Sequence, residues 1–199
     1  MYSSAKKAAL AVAVCSAFAG ISSAMADPVT MTFTGNITKA TCNIQPYNSE
    51  GMLLNSTPLY LGEKIASEKS GDSVDFTLKN STGTCSGLAD GGGAYITWTG
   101  DLYEYGLKNT NGTNKNVHIE ITPVSGGASD ATIDTDLTYA VAGEVITSNH
   151  NTVSYSKAAG ALNAVLPFTY KVKFVPNVPN TELGAGTIST NISYTVAYK

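Results

Sequence analysis

The sequence predicts an all-β protein folded as a single β-sandwich. Three observations carry this. Apolar and polar residues alternate with period two in run after run. Clusters of glycine, asparagine and proline separate the runs, and no stretch has the pattern of a convincing amphipathic helix. Successive strand side chains point to opposite faces, so runs with one polar face belong to antiparallel sheets packed face to face. The arrangement expected is immunoglobulin-like.

Taken in order, the chain opens with a segment that is not expected to join the fold. Lys6 and Lys7 give a positive start, Ala8 to Ile21 an apolar run of small residues, and Ala24-Met25-Ala26 a cleavage site. Residues 1–26 therefore read as a secretory signal peptide cut before Asp27, its apolar run too short to span a bilayer. Cys15 lies inside that run behind the bulky Val14, which argues against a lipid anchor.

Residues 27–199 are expected to form one domain. Val29, Met31, Phe33 and Ile37 alternate with Thr30, Thr32 and Thr34. Val74, Phe76 and Leu78 alternate with Asp75, Thr77 and Lys79, and Ala94, Ile96 and Trp98 with Tyr95, Thr97 and Thr99. Val117, Ile119 and Ile121 alternate with His118, Glu120 and Thr122, and Phe168, Tyr170, Val172 and Phe174 with Thr169, Lys171 and Lys173. The turns expected between them are Gly83-Thr84, residues 90–93, Asn111-Gly112, Gly126-Gly127 and Pro176 to Pro179. Gly62 to Ser67 has room for one helical turn, and residues 125–151 read as a short hairpin or a surface excursion. In the last run, Ile188, Ile192, Tyr194, Val196 and Tyr198 share one parity, interrupted by Thr190. A strand this apolar wants partners on both edges. Strand-like segments at both ends make the chain a candidate for joining its own copies by strand addition.

Composition excludes several functions. Residues 27–199 carry ten lysines against fifteen acids and no arginine, the wrong sign for a nucleic-acid binder. His118 and His150 sit among neutral residues, with no Ser/His/Asp motif and no paired carboxylates at a glycine elbow, so catalysis finds no support. The glycines at 91–93 are followed by no lysine and no helix, which makes them a loop rather than a phosphate cradle. Asp130, Asp134 and Asp136 lack the glycine and glutamate of a calcium loop. No cofactor or metal is expected. Cys42 and Cys85, the two cysteines left after export, are expected to form one disulfide. It would close a loop of about 44 residues and stabilise by roughly 4 kcal/mol on the chain-entropy account. Trp98 reads as core packing, with sugar stacking as the rival role.

Several of these pieces together resemble a known family. Phe33-Thr-Gly-Asn-Ile37 followed by Cys42-Asn-Ile44 is similar to the F-x-G-x-I/V … C-x-I opening of chaperone–usher fimbrial subunits of the type 1 pilus kind. Phe76-Thr-Leu78 before Cys85 resembles the strand leading to the family's second cysteine. Gly186, fourteenth from the end, and the penultimate Tyr198 resemble its C-terminal motif.

The resemblance implies an immunoglobulin-like sandwich lacking its last strand, with a groove beside the C-terminal strand formed by Gly186, Ile188, Ile192, Tyr194, Val196 and Tyr198. It implies partners in order: a periplasmic chaperone that lends a strand, an outer-membrane usher, and neighbouring subunits whose N-terminal extension replaces the chaperone's strand in a surface fimbrium supporting adhesion to host cells. Val29, Met31 and Phe33, within residues 27–37, are the expected donor strand, lying outside the subunit's own core; the plainer reading makes them an ordinary first strand. Chaperone–pilin complexes are themselves a standing example of strand addition, so the general rule names the category here and derives nothing. The alternative function is a fimbrial adhesin or lectin-like sandwich that binds a host glycan directly.

Overall fold

A computed structural model describes residues 30–37, 43–55, 57–81, 93–124, 140, 143–156 and 168–198. The expected leader, Val29, Cys42, Cys85 and the aspartates at 130–136 lie outside the described residues.

Among the described residues eleven strands run in chain order: β1 (Thr30–Ile37), β2 (Ile44–Asn48), β3 (Leu59–Tyr60), β4 (Val74–Asn80), β5 (Gly93–Gly100), β6 (Leu102–Tyr103), β7 (Gly106–Lys108), β8 (Val117–Pro123), β9 (Thr152–Ser156), β10 (Phe168–Pro176) and β11 (Ser189–Tyr198). They form a five-stranded sheet ordered β3-β1-β11-β5-β9 and a six-stranded sheet ordered β2-β4-β10-β8-β7-β6. Among the described residues there is no helix. The turn allowed at Gly62 to Ser67 is a tight turn instead, closed by the Glu68 amide donating to the Ile65 carbonyl at 2.9 Å. Within 125–151, the described stretch 143–151 carries no strand.

The two sheets meet on the residues that the alternation marked. Met31, Phe33, Phe76, Leu78, Ile96, Trp98, Ile119, Ile121, Tyr170, Val172, Phe174, Ile192, Tyr194 and Val196 are all buried. Aromatic rings bridge the layers, Phe33 to Phe76 at 4.6 Å and Trp98 to Tyr170 at 5.1 Å edge-on, and within the six-stranded sheet Phe76 stacks on its cross-strand partner Tyr170 at 5.2 Å. Trp98 is fully buried, which removes the sugar-stacking role for that ring. Burial pushes the phenols of Tyr155 and Tyr170 well above the usual tyrosine range, because a phenolate would sit between the sheets with no water around it. Both hydroxyls therefore stay protonated in the fold.

One polar expectation fails on the outer face of β8. The alternation leaves His118 facing solvent. It is instead buried, its Nδ1 at 3.0 Å from Asn177 Oδ1 and its ring edge-on to Tyr103 at 5.7 Å. The Tyr103 ring from β6, which continues the same sheet beyond β7, and Asn177 from the turn after β10 cover His118 on that face.

Candidate functional site

The site that the sequence pointed to is the strip of sheet beside β11. On one flank β11 pairs antiparallel with β5 from Ile192↔Gly100 to Tyr198↔Ala94. On the other flank the expected open edge is closed by the chain's own β1. It runs parallel to β11 over its whole length, from Thr30↔Ser189 to Ile37↔Val196. The far edge of β1 pairs antiparallel with β3, Thr30↔Tyr60 and Met31↔Leu59. β1 thus fills a slot between β3 and β11, and the Thr30 amide anchors its start on the Ile188 carbonyl at 3.1 Å.

The structure corrects one expectation here. Met31 and Phe33 were expected outside the subunit's own core, but in this structure they are part of it, with Met31 wholly enclosed and Phe33 packed between Phe76 and Trp98. Thr30 and Thr32 are half-buried and Thr34 is exposed.

Size complementarity along the inward parity sets the register. Met31 lies opposite Thr190, Phe33 opposite Ile192, Gly35 opposite Tyr194 and Ile37 opposite Val196. A Cβ at Gly35 would come within 3.0 Å of Cζ, Cε1 and the hydroxyl of Tyr194. The Tyr194 ring lies across β1 at this point, and its hydroxyl donates to the Ile44 carbonyl at 3.0 Å on the opposite sheet. A shift of two residues would set Phe33 or Ile37 against that ring. A shift of one would turn every threonine inward. Thr190, the polar residue in the apolar parity of β11, is buried, with its hydroxyl 3.4 Å from that of Thr110. Neither β1 nor β11 contains a charged residue, so the slot is held by main-chain hydrogen bonds and apolar packing.

Gly186 is placed before β11 rather than along it. Its φ is +131°, and a Cβ would meet Thr113 Oγ1 at 2.9 Å and the Asn114 amide at 3.0 Å. Ile188, Ile192, Tyr194 and Val196 are buried on the sheet's inner face; for Tyr198 only the backbone is described, paired with Ala94.

The sequence reading missed what positions the start of β11. Residues 109–116 clamp residues 183–189. The buried Asn109 amide donates to the Asn114 and Thr187 carbonyls, and its Oδ1 accepts from the Gly112 and Ser189 amides at 3.1 and 2.8 Å. Asn114 Nδ2 donates to the Leu183 and Gly184 carbonyls at 2.8 and 3.1 Å. Thr113 and Thr187 exchange reciprocal amide-to-hydroxyl bonds at 2.8 and 2.9 Å. The signal in the sequence was the Asn/Thr-rich stretch Asn109 to Asn116, which reads locally as a turn. Asn109→Ala is expected to cost about 3 kcal/mol or more, since it takes the side-chain partner from the Gly112 and Ser189 amides and from the Asn114 carbonyl, while the Thr187 carbonyl keeps the Asn114 amide. Thermal denaturation should show this as a large fall in Tm. A fall no greater than that of Asn111→Ala, at an exposed neighbour, would contradict it.

No family model matches the chain. Two proteins of Escherichia coli are similar to it. The F107 fimbrial protein is 29% identical over 153 residues, covering 76% of this chain and 79% of that protein. The K99 fimbrial protein is 29% identical over 201 residues, covering 97% of this chain and 99% of that protein. The second similarity spans nearly both chains end to end. Together they support a fimbrial-subunit family for this chain.

Proposed function

We propose that this chain is a structural subunit of a bacterial surface fimbrium, exported with loss of residues 1–26, and that copies join by exchange of the segment around β1. The observation that carries the reading is the slot itself. A segment from the N-terminal end of the chain, free of charge and set by the register of Gly35 on Tyr194, fills a gap between β3 and β11. The same segment of a second copy offers the same side chains and the same ladder. Moving β1 from its own slot to a neighbour's is then a strand swap in which each slot stays filled, a low-cost route to assembly. An emptied slot would expose a β11 edge and apolar side chains, an aggregation hazard that a periplasmic chaperone strand would cover until an outer-membrane usher passes the subunit on. Support for adhesion to host cells belongs to the assembled fibre on this reading.

The test is the state of the purified chain 27–199 at high concentration. Multimers that resist SDS and dissociate on heating are expected. A chain lacking 27–37 should form none, and should gain Tm when a peptide of residues 27–37 is added. A full-length chain that stays monomeric under every assembly condition, or a shortened chain indifferent to the peptide, would overturn the exchange reading.

A further inference from the structure

Asn111 is the chain's only asparagine followed by glycine. That pair carries a chemical liability. The amide nitrogen of the following residue can attack the asparagine Cγ, and glycine has no side chain to shield it. The nitrogen–Cγ bond forms as the amide proton passes to hydroxide, and ammonia leaves Cγ with a proton returned from water. Water then opens the succinimide at either carbonyl, giving aspartate or isoaspartate. Nothing is oxidised or reduced, and water is the only co-reactant.

The fold holds this pair where the attack is blocked. Asn111 is exposed, but Gly112 is buried. The Gly112 N–H donates to Asn109 Oδ1 at 3.1 Å. The amides on either side are tied as well, Asn111 N–H to the Ser189 carbonyl at 2.9 Å and Thr113 N–H to Thr187 Oγ1 at 2.8 Å. Asn109 in turn is fixed through its Nδ2, which donates to the Asn114 and Thr187 carbonyls. Both donors and both lone pairs of that side chain are in use, so it has no second orientation to adopt. Attack needs the nitrogen deprotonated and about 3–3.5 Å from Cγ with its lone pair aligned. While it donates to Asn109, the Gly112 nitrogen keeps its proton. Turning its peptide plane toward Asn111 Cγ breaks that bond. The glycine itself is required, because a Cβ at position 112 would come within 3.0 Å of Asn109 Oδ1 and Nδ2 and of the Thr187 carbonyl oxygen. The clamp therefore demands the residue that makes Asn111 labile, and supplies the hydrogen bond that guards it.

We propose that Asn111 is a deamidation site gated by Asn109, inert while the clamp is closed and converted to aspartate or isoaspartate when it opens. The modification is a lasting record of opening. Both products add a negative charge, and isoaspartate adds a methylene to the main chain, among the residues that fix the start of β11. A clamp that has opened and reacted in this way cannot close in its old register. The inference rests on the fold alone and does not require exchange of β1.

The experiment incubates the chain 27–199 at mildly alkaline pH, well below its Tm, and follows conversion of each asparagine by peptide mass spectrometry. In urea, with the chain unfolded, Asn111 should be the first asparagine to convert. In the folded chain its conversion should be slower by about tenfold or more, the equivalent of roughly 1.4 kcal/mol of protection. Asn109→Ala should restore much of the lost rate while the chain is still folded. Val172→Ala, a truncation in the core away from the clamp, should leave the rate at Asn111 unchanged. A second measurement needs no variant. In urea too dilute to unfold the chain, conversion at Asn111 and hydrogen exchange at the Gly112 amide should rise together, since one local opening governs both. Equal conversion in the folded and unfolded chain overturns the proposal. So does acceleration by Val172→Ala as large as that by Asn109→Ala, because global unfolding would then be the gate. Should Asn109→Ala fail to fold, conversion that climbs while the Gly112 amide stays protected still overturns it.

Discussion

Met31→Asp is expected to destabilise the subunit and to abolish heat-resistant multimers in the same variant. Met31 is fully buried, paired to Leu59 on one side and Thr190 on the other, in a slot with no charged residue on either β1 or β11. Replacing it removes a burial worth about 1.5–3 kcal/mol. It also sets a carboxylate where nothing pairs with it, a further penalty of several kcal/mol. Domains are stable by only about 5–15 kcal/mol, so the sum is a large share of the whole. The damage should shrink as pH falls. Burial raises the folded-state pKa of the new carboxyl above its unfolded value of about 3.9. The charge penalty is therefore full above the raised folded-state pKa, shrinks as pH falls between that value and the unfolded one, and is gone once the unfolded chain is protonated as well. Thr32→Asp, on the half-buried parity, should cost far less. Melting curves at neutral and acid pH, with SDS gels of unheated samples, check all of this. Equal effects of the two substitutions would mean that β1 does not present Met31 inward, alone or in a fibre.

The sequence left open whether Met31 belongs to the subunit's own core or to a neighbour's, and the reason is physical. The alternation of Val29 to Ile37 and of Ile188 to Tyr198 marked two strands and their inward parities, and β4, β5, β8 and β10 were legible in the same way. A period needs several repeats to show. β3, β6 and β7 have two or three residues each, and Thr152 to Ser156, which forms β9, offers only Val153 and Tyr155 as its apolar pair. A ladder also looks the same whether its two strands come from one copy or two, so nothing in the residues of β1 says that it closes its own sheet. The Asn109 clamp and the cover over His118 were hidden for another reason. Asn109 reaches Ser189 across 80 positions, and His118 reaches Asn177 across 59. Such pairings are set by how the sheets stack rather than by local pattern. Gly186 was legible as a marked position, but its cause lies in a positive φ and in the close approach of Thr113 and Asn114.

Gly35→Ala should be the most damaging single-methyl change in β1. The added carbon has no free direction, because the Tyr194 ring occupies the space and its hydroxyl is tied to the Ile44 carbonyl of the other sheet. Either the ring swings out and breaks that bond, or β1 lifts from β11. Overpacking of this kind costs about 1–3 kcal/mol, and the lost hydrogen bond adds about 1 kcal/mol. Thr34→Ala, one residue away on the exposed parity, should be close to neutral. The decisive measurement is a double-mutant cycle with Tyr194→Val, which opens the space. Tyr194→Val alone should be costly, through the lost ring and the lost bond. With Tyr194→Val in place, Gly35→Ala should cost little or nothing, giving a coupling energy well outside the few tenths of a kcal/mol seen for independent sites. Multimers should follow the same pattern if a neighbour's segment sits in the slot in this register, since the Gly35-on-Tyr194 fit would then be needed in every junction. Additive effects in the isolated chain would show that the ring does not press on β1. Coupling in the isolated chain with none in the multimers would show that a neighbour's strand takes a different register from the chain's own.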